Sequence, residues 1–333
     1  MRIPFWPQGY PDHQMFLRGV LAYLKAVRGT LVCNGTTGLL LTIRSVMQRR
    51  TVGEYVILPS FAHPATLQAV LWNNLIPIFA DVNEQTWGLT EETIRAVAID
   101  PRQVRCIVAV ATFGFLPVLP DVLLVKDEQI PVVLDACQAF GSFSYAGEGS
   151  RQPTAYSFAP GKVYPQGGGG LVTYADEDEA FWQSATRWGG AFCGGLNAQI
   201  TVALPSAFSI KAVEAEIAER LRLVALYDMQ LGITAHRRFR WNGQFYPVRI
   251  LEGTVDARRR ILLTMHDAGI ECRPYFSPAL HHRLPGHGAR LPVTEMLSRT
   301  MCCLPIYPGI AEPKQMVMMF RACVEEEGCR LSR

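Results

Sequence analysis

Short apolar runs alternate along this chain with segments whose apolar positions recur at helical spacing. Tyr55-Val-Ile-Leu58 precedes a helical pattern from about Pro64 to Asn73, and Ile76-Pro-Ile-Phe-Ala80 precedes one over Glu91 to Val97. Ile107-Val-Ala-Val-Ala111 and Val132-Val-Leu-Asp135 follow. Continuously apolar strands separated by helices predict a parallel sheet covered on both faces. Ligands bind such sheets at the C-terminal strand ends. Attention therefore falls on the polar residues just past the runs: Ser60, Asp81, Thr112 and Asp135. Lys211 to Gln230 differs, with Val213, Ile217, Leu221, Val224 and Leu226 near helical spacing and charges between them. It predicts an amphipathic helix leaving the sheet domain. The apolar run Phe245 to Leu251, a helical pattern from about Val255 to Ala268 and a Pro-rich tail come after it. The pattern changes near residues 206–212, which divides the chain into residues 1–208, an N-terminal segment with a large domain, and 209–333, a small C-terminal domain.

Composition narrows the class. The chain has 333 residues, 49% apolar and 18% charged. That excludes a disordered chain and argues against a coiled coil. A net charge of +3 leaves no basic stripe of the kind nucleic-acid binders carry. The most apolar stretch, Ile107 to Val125, is broken by Gly114, Pro117, Pro120 and Asp121, unlike a membrane span. The N-terminus lacks the apolar core of a signal peptide. Nine scattered cysteines without a CxxC pair form neither a disulfide framework nor a zinc site. His281, His282 and His287 lack a carboxylate or Cys partner at metal-ligand spacing, so no metal is expected. These features read as a soluble, reduced, cytoplasmic protein. Only five of the 32 basic residues are lysines, at positions 25, 126, 162, 211 and 314. Chemistry that needs an amine has few candidates.

Four segments could carry chemistry. Asn34-Gly-Thr-Thr-Gly38 opens the apolar run from Leu39 to Met47. A Gly-Thr pair at a helix start offers free N–H groups, hydroxyls and the positive dipole end to a phosphate, although an ordinary N-cap would look the same. Asp135 ends a buried strand, where a carboxylate needs a cation or several donors; capping the next helix would also satisfy it. Lys162 in Ala155-Tyr-Ser-Phe-Ala-Pro-Gly-Lys162 follows a strand-like run and precedes Gly167 to Gly170. A lysine pocketed there can serve as a Schiff-base amine, while a lone loop lysine is usually solvated. Gly195-Leu-Asn197 alone reads as a loop. Together they describe a pyridoxal phosphate site: an amine, a carboxylate for the pyridine nitrogen, a helix start for the phosphate and a flat group against the ring.

These segments resemble the DegT/DnrJ/EryC1/StrS family of sugar aminotransferases, of the aspartate aminotransferase fold, over about Leu31 to Ile310. Val56-Ile-Leu-Pro-Ser-Phe-Ala-His-Pro-Ala-Thr66, Pro77-Ile-Phe-Ala-Asp-Val82, Asp135-Ala-Cys-Gln138, Ser157-Phe-Ala-Pro-Gly-Lys162, Leu291-Pro-Val-Thr-Glu295 and Leu304-Pro-Ile-Tyr-Pro308 resemble family motifs in family order. The resemblance implies an α/β fold with a mostly parallel seven-stranded sheet flanked by helices, plus a smaller C-terminal α+β domain. It implies that Lys162 bonds the cofactor and then acts as general acid/base, and that Asp135 pairs with the pyridinium. Gln138 would lie by the phenolic oxygen, and His63 would stack on the ring. Gly35, Thr36, Thr37 and Ser157 would hold the phosphate, with Asn197 reaching the neighbouring subunit's phosphate in a homodimer with shared sites. Arg273 and His281 would face substrate. The activity implied is amino transfer from an amino acid, glutamate above all, to a nucleotide-linked keto-sugar.

Three departures stand out. Gly168 replaces a family Glu, Gln199 replaces a family Arg, and the loop from Trp188 to Gly195 is short. They leave open a non-sugar carbonyl substrate, an elimination or dehydration, or a non-catalytic regulator. The run Arg258-Arg-Arg260 is expected on a solvated helix face.

Overall fold

The structure, a computed structural model, describes residues 13–142, 152–175, 181–182, 204–205, 207–233, 241–251, 255–285 and 288–332. Its larger sheet contains β1 (Arg28–Val32), β2 (Tyr55–Pro59), β3 (Ile76–Ala80), β4 (Val104–Val110), β5 (Val122–Val125), β6 (Glu128–Asp135), β7 (Thr154–Ser157) and β8 (Gly170–Tyr174). Seven strands run in the order β1-β8-β7-β6-β4-β2-β3, and β5 pairs with β6 as a hairpin beside that path. Only β8 opposes its neighbours within the seven, since β7, β6, β4, β2 and β3 pair in parallel. Both faces are covered, as the apolar runs require. One face packs on α2 (Gly35–Arg49) and α3 (Pro64–Leu71), burying Leu39, Ile43, Leu67 and Val70 against Val56, Leu58 and Val108. The other buries Ile57, Ile107, Ala109 and Val132 with Ile94 of α4 (Glu91–Arg95). Ahead of β1, α1 (Gln14–Leu24) buries Phe16 and Val20 against Phe140, Phe158 and Ile217.

The predicted amphipathic helix is α5 (Ile210–Leu231), stopped by Gly232 in the left-handed region at φ 66°. It covers a three-stranded antiparallel sheet in which β9 (Tyr246–Leu251) lies between β10 (Met301–Leu304) and β11 (Arg330–Ser332). Helices α6 (Val255–Asp267) and α8 (Pro313–Glu326) complete that second core around Tyr227, Tyr246, Ile261 and Phe320. Between β9 and β10 the chain returns to the large sheet. Leu280 and Leu291 join the core of Leu58 and Phe79. The strand-end residues flagged in the sequence fasten this return. The Ser60 hydroxyl accepts the His281 N–H at 2.9 Å. Asp81 accepts the N–H groups of Val293 and Thr294 at 3.0 and 2.8 Å, capping α7 (Pro292–Thr300) from the opposite half of the molecule. The solvated arginine face is corrected at Arg258. Its guanidinium is buried and donates to the carbonyls of Ser298 and Met301 and to the Ser277 hydroxyl. Helical spacing shows which residues share a face, but not that a segment some 40 residues later will cover that face.

Candidate active site

Asp135 is the last residue of β6, beside Val110 of β4. It is buried, and its two oxygens are used differently. Oδ2 accepts the Thr66 hydroxyl at 2.8 Å, and Oδ1 accepts the Cys137 N–H at 3.2 Å. Thr66 stands in the first turn of α3, so a carboxylate from one strand end is held by a helix that starts at another. Residues 136–142 form turns and not a helix, so the Cys137 N–H bond fastens a turn and Asp135 caps no helix there.

The start of α2 lies alongside. Asn34 caps it, its Oδ1 accepting the Thr37 N–H at 2.8 Å. Glycine at position 35 is a packing requirement. A Cβ there would meet Cys137 Sγ at 2.7 Å and Ser157 Cβ at 2.8 Å. This places Gly35, and with it the first turn carrying Thr36 and Thr37, against Ser157 at the end of β7. The glycine run closes the other side. Gly169 bridges to Asn34, and a Cβ on Gly170 would meet Asn34 and Gly35 backbone at 3.0 Å. Gly168 has φ 151° between Gly167 at 74° and Gly169 at 82°, backbone that L side chains rarely adopt. A glutamate would adopt that backbone only with strain.

Lys162 sits in the loop from β7 to β8, its N–H bonded to the Ala159 carbonyl at 3.2 Å. Burial lowers its amine's pKa below the ordinary lysine value, while Cys137 and Asp135 nearby pull it upward. His63 is the N-cap of α3, its Nδ1 accepting the Ala65 N–H at 3.1 Å. That bond requires an unprotonated Nδ1. Burial, and then the charge of Lys162, hold the ring's pKa below the usual histidine value, with Asp135 opposing. Gln138 is buried and accepts the Phe113 N–H on Oε1 at 2.7 Å.

His63, Gln138 and Lys162 line one end of a cavity of about 1280 Å³. Its far wall comes from the C-terminal half and includes Arg273, Tyr275, Tyr307 and Met316. Arg273 is exposed there and already paired, its Nε 2.8 Å from Glu271. His281 is elsewhere: it is buried, with Nδ1 2.7 Å from the Ser60 hydroxyl, and it is not among the lining residues. Asn197, Gln199 and the loop from Trp188 to Gly195 lie outside the described residues. Sequence reasoning missed Thr66, which sits inside a quoted stretch without a role. It also missed Gln244, a buried cavity residue whose side-chain amide makes no hydrogen bond. Nothing in the local sequence marks Gln244.

An amine lining a cavity, a buried carboxylate near it and a helix start packed on Cys137 and Ser157 suit an aldehyde cofactor that carries a phosphate. The fold is shared with NtdA of Bacillus subtilis, solved with its bound cofactor PMP, at TM-score 0.75 and 20% identity over 96% of this chain and 78% of that one. That likeness is one of fold, and the class, that of the aminotransferases, comes from a family model over nearly the whole chain. A family model for the DegT/DnrJ/EryC1/StrS aminotransferase family matches residues 3–319, and the chain belongs to that family. It is 27% identical over 314 residues to GDP-perosamine synthase of Caulobacter vibrioides, covering 86% of this chain and 82% of that one. It is 26% identical over 321 residues to UDP-N-acetyl-3-dehydro-alpha-D-glucosamine 3-aminotransferase of Acidithiobacillus ferrooxidans, covering 89% and 84%. The cofactor is pyridoxal 5′-phosphate, and the residues fit it: Cys137 and Ser157 fill the space a side chain at 35 would take, leaving backbone N–H groups at the helix start. No helix among the described residues is long and apolar enough to cross a membrane.

Proposed function

We propose that this aminotransferase moves an amino group from L-glutamate to a nucleotide-linked keto-sugar, as a cytoplasmic homodimer with shared sites. The observation that carries the site is the convergence of Lys162, His63 and Gln138 on one cavity, with the Asp135 carboxylate close enough to act on both Lys162 and His63. The names of the two relatives, one GDP-linked and one UDP-linked, point to a nucleotide-sugar.

Bound here, pyridoxal 5′-phosphate supplies an electron sink that lets an amino acid's Cα–H break and stores the amino group between substrates. Lys162 would bond it and, once released, take the proton from the donor carbon and return one at the neighbouring position. A lowered amine pKa suits that role, because the free base is the form that accepts the proton. Asp135, fixed by Thr66 and the Cys137 N–H, would keep a proton on the ring nitrogen. Gly35, Thr36, Thr37 and Ser157 would hold the phosphate, and His63 would lie against the ring. Arg273 would meet a substrate carboxylate or phosphate in place of Glu271, and Asn197 would serve the partner's site. His281, tied to Ser60, would bear on substrate only through the loop it anchors.

The test is product analysis with glutamate as donor and UDP-N-acetyl-3-dehydro-α-D-glucosamine as acceptor probe. The reading expects 2-oxoglutarate and an aminated sugar. Released ammonia without an aminated product would replace transfer with elimination.

A further inference from the structure

The Gln138 amide has a donor end and an acceptor end, and its surroundings decide which faces the cavity. A backbone N–H only donates, so the 2.7 Å bond from Phe113 occupies Oε1 and leaves Nε2 for the cavity side. Phe113 itself is held in the left-handed region, at φ 56° and ψ 19°. That conformation is costly for a phenylalanine and persists only when neighbours impose it. The neighbours come from the chain beyond the large sheet. Trp241 Nε1 donates to the Phe113 carbonyl at 2.7 Å, and its indole stacks on Phe115 with centroids 5.0 Å apart. The adjacent Asn242 donates through Nδ2 to the carbonyls of Gln138 and Phe140 at 2.9 and 3.0 Å. A Cβ on Gly114, next to Phe113, would collide with Asn242 Oδ1. Both polar groups of the Phe113 backbone are therefore committed, one to Gln138 and one to Trp241.

We propose that Trp241 is a positioning residue for the cofactor: acting through the Phe113 backbone, it fixes the Gln138 amide with its donor end toward the cofactor's phenolic oxygen. This rests on the place given to Gln138 above. A donor facing that oxygen favours its anion. An amide free to turn would set oxygen against oxygen and favour the protonated form.

The experiment uses the full chain loaded with pyridoxal 5′-phosphate and follows the cofactor's visible band against pH. Trp241→Phe keeps a ring on Phe115 and removes the N–H. Trp87→Phe is the matched control. Trp87 is buried in the same aromatic cluster, 5.6 Å from Phe113 and 5.2 Å from Phe115, and its indole N–H makes no hydrogen bond. The proposal expects Trp241→Phe to raise the midpoint by about half a pH unit or more and Trp87→Phe to leave it in place. Trp241→His, which restores a ring N–H, should move it back toward the parent value. Should Trp241→Phe fail to fold, β-(3-benzothienyl)alanine at position 241 removes the N–H at nearly constant shape. An unmoved midpoint in that protein or in Trp241→Phe overturns the proposal, as does an equal rise in Trp87→Phe. A parent protein that forms no band with pyridoxal 5′-phosphate would instead overturn the reading beneath it, and this is seen before any variant is made.

Discussion

The two walls of the cavity are built differently. On the large-sheet side His63 is fixed by the Ala65 N–H and Gln138 by the Phe113 N–H, and nearby Asp135 is held by Thr66 and the Cys137 N–H. On the C-terminal side the polar groups are exposed or uncommitted. Arg273 holds its near neighbours Glu271 and Tyr275, and the Gln244 amide has no hydrogen-bond partner among the described residues. The contrast suits a site that binds one cofactor throughout and exchanges two substrates. Bonds made in advance orient a permanent group. Groups whose bonds are still to be made are satisfied by what arrives.

Breaking the fixed wall should have the largest effects. Asp135→Asn preserves shape and removes the charge opposite the ring nitrogen. Turnover with glutamate should fall by at least about a hundredfold, on the scale of losing one preorganised electrostatic group, while the protein still folds. Single-turnover absorbance with glutamate measures it, and a loss below threefold would detach Asp135 from the chemistry. Gly35→Ala places a methyl group where Cys137 and Ser157 already stand. It should cost about 1–3 kcal/mol of stability and weaken pyridoxal 5′-phosphate binding about tenfold or more, by displacing the N–H groups at the helix start. Thermal unfolding of the apoprotein and a cofactor titration report the two separately. The far wall should respond more gently and in a different quantity. Gln244→Leu removes a buried amide without partners, so stability should hold or rise. Reaction with glutamate should be unchanged, whereas KM for the keto-sugar probe should rise several-fold. An unchanged acceptor KM would make Gln244 a bystander.

The same contrast explains what could be read in the sequence. The α2 start, Asp135 and Lys162 each lie in a segment of ten residues or fewer whose chemistry is local: a capped helix start, a strand end, a loop lysine before glycines. The parallel sheet was legible because its strands are apolar throughout. Contacts between distant segments were not. Thr66 and Asp135 are 69 residues apart, Asn242 and Gln138 104, and Trp241 and Phe113 128. The resemblance implies that His281 faces substrate, yet the fold binds it to Ser60, 221 residues away. The burial of Arg258 is not legible locally, because the end of α7 that takes its guanidinium comes some 40 residues later.

Lys162 as the residue that bonds the cofactor is tested most directly by absorbance of the parent protein and Lys162→Ala with pyridoxal 5′-phosphate, before and after glutamate. The parent should develop a visible band that glutamate bleaches, and Lys162→Ala should show no lysine-dependent band and no turnover. A Lys162→Ala protein that keeps both the band and full turnover would contradict the assignment of the site.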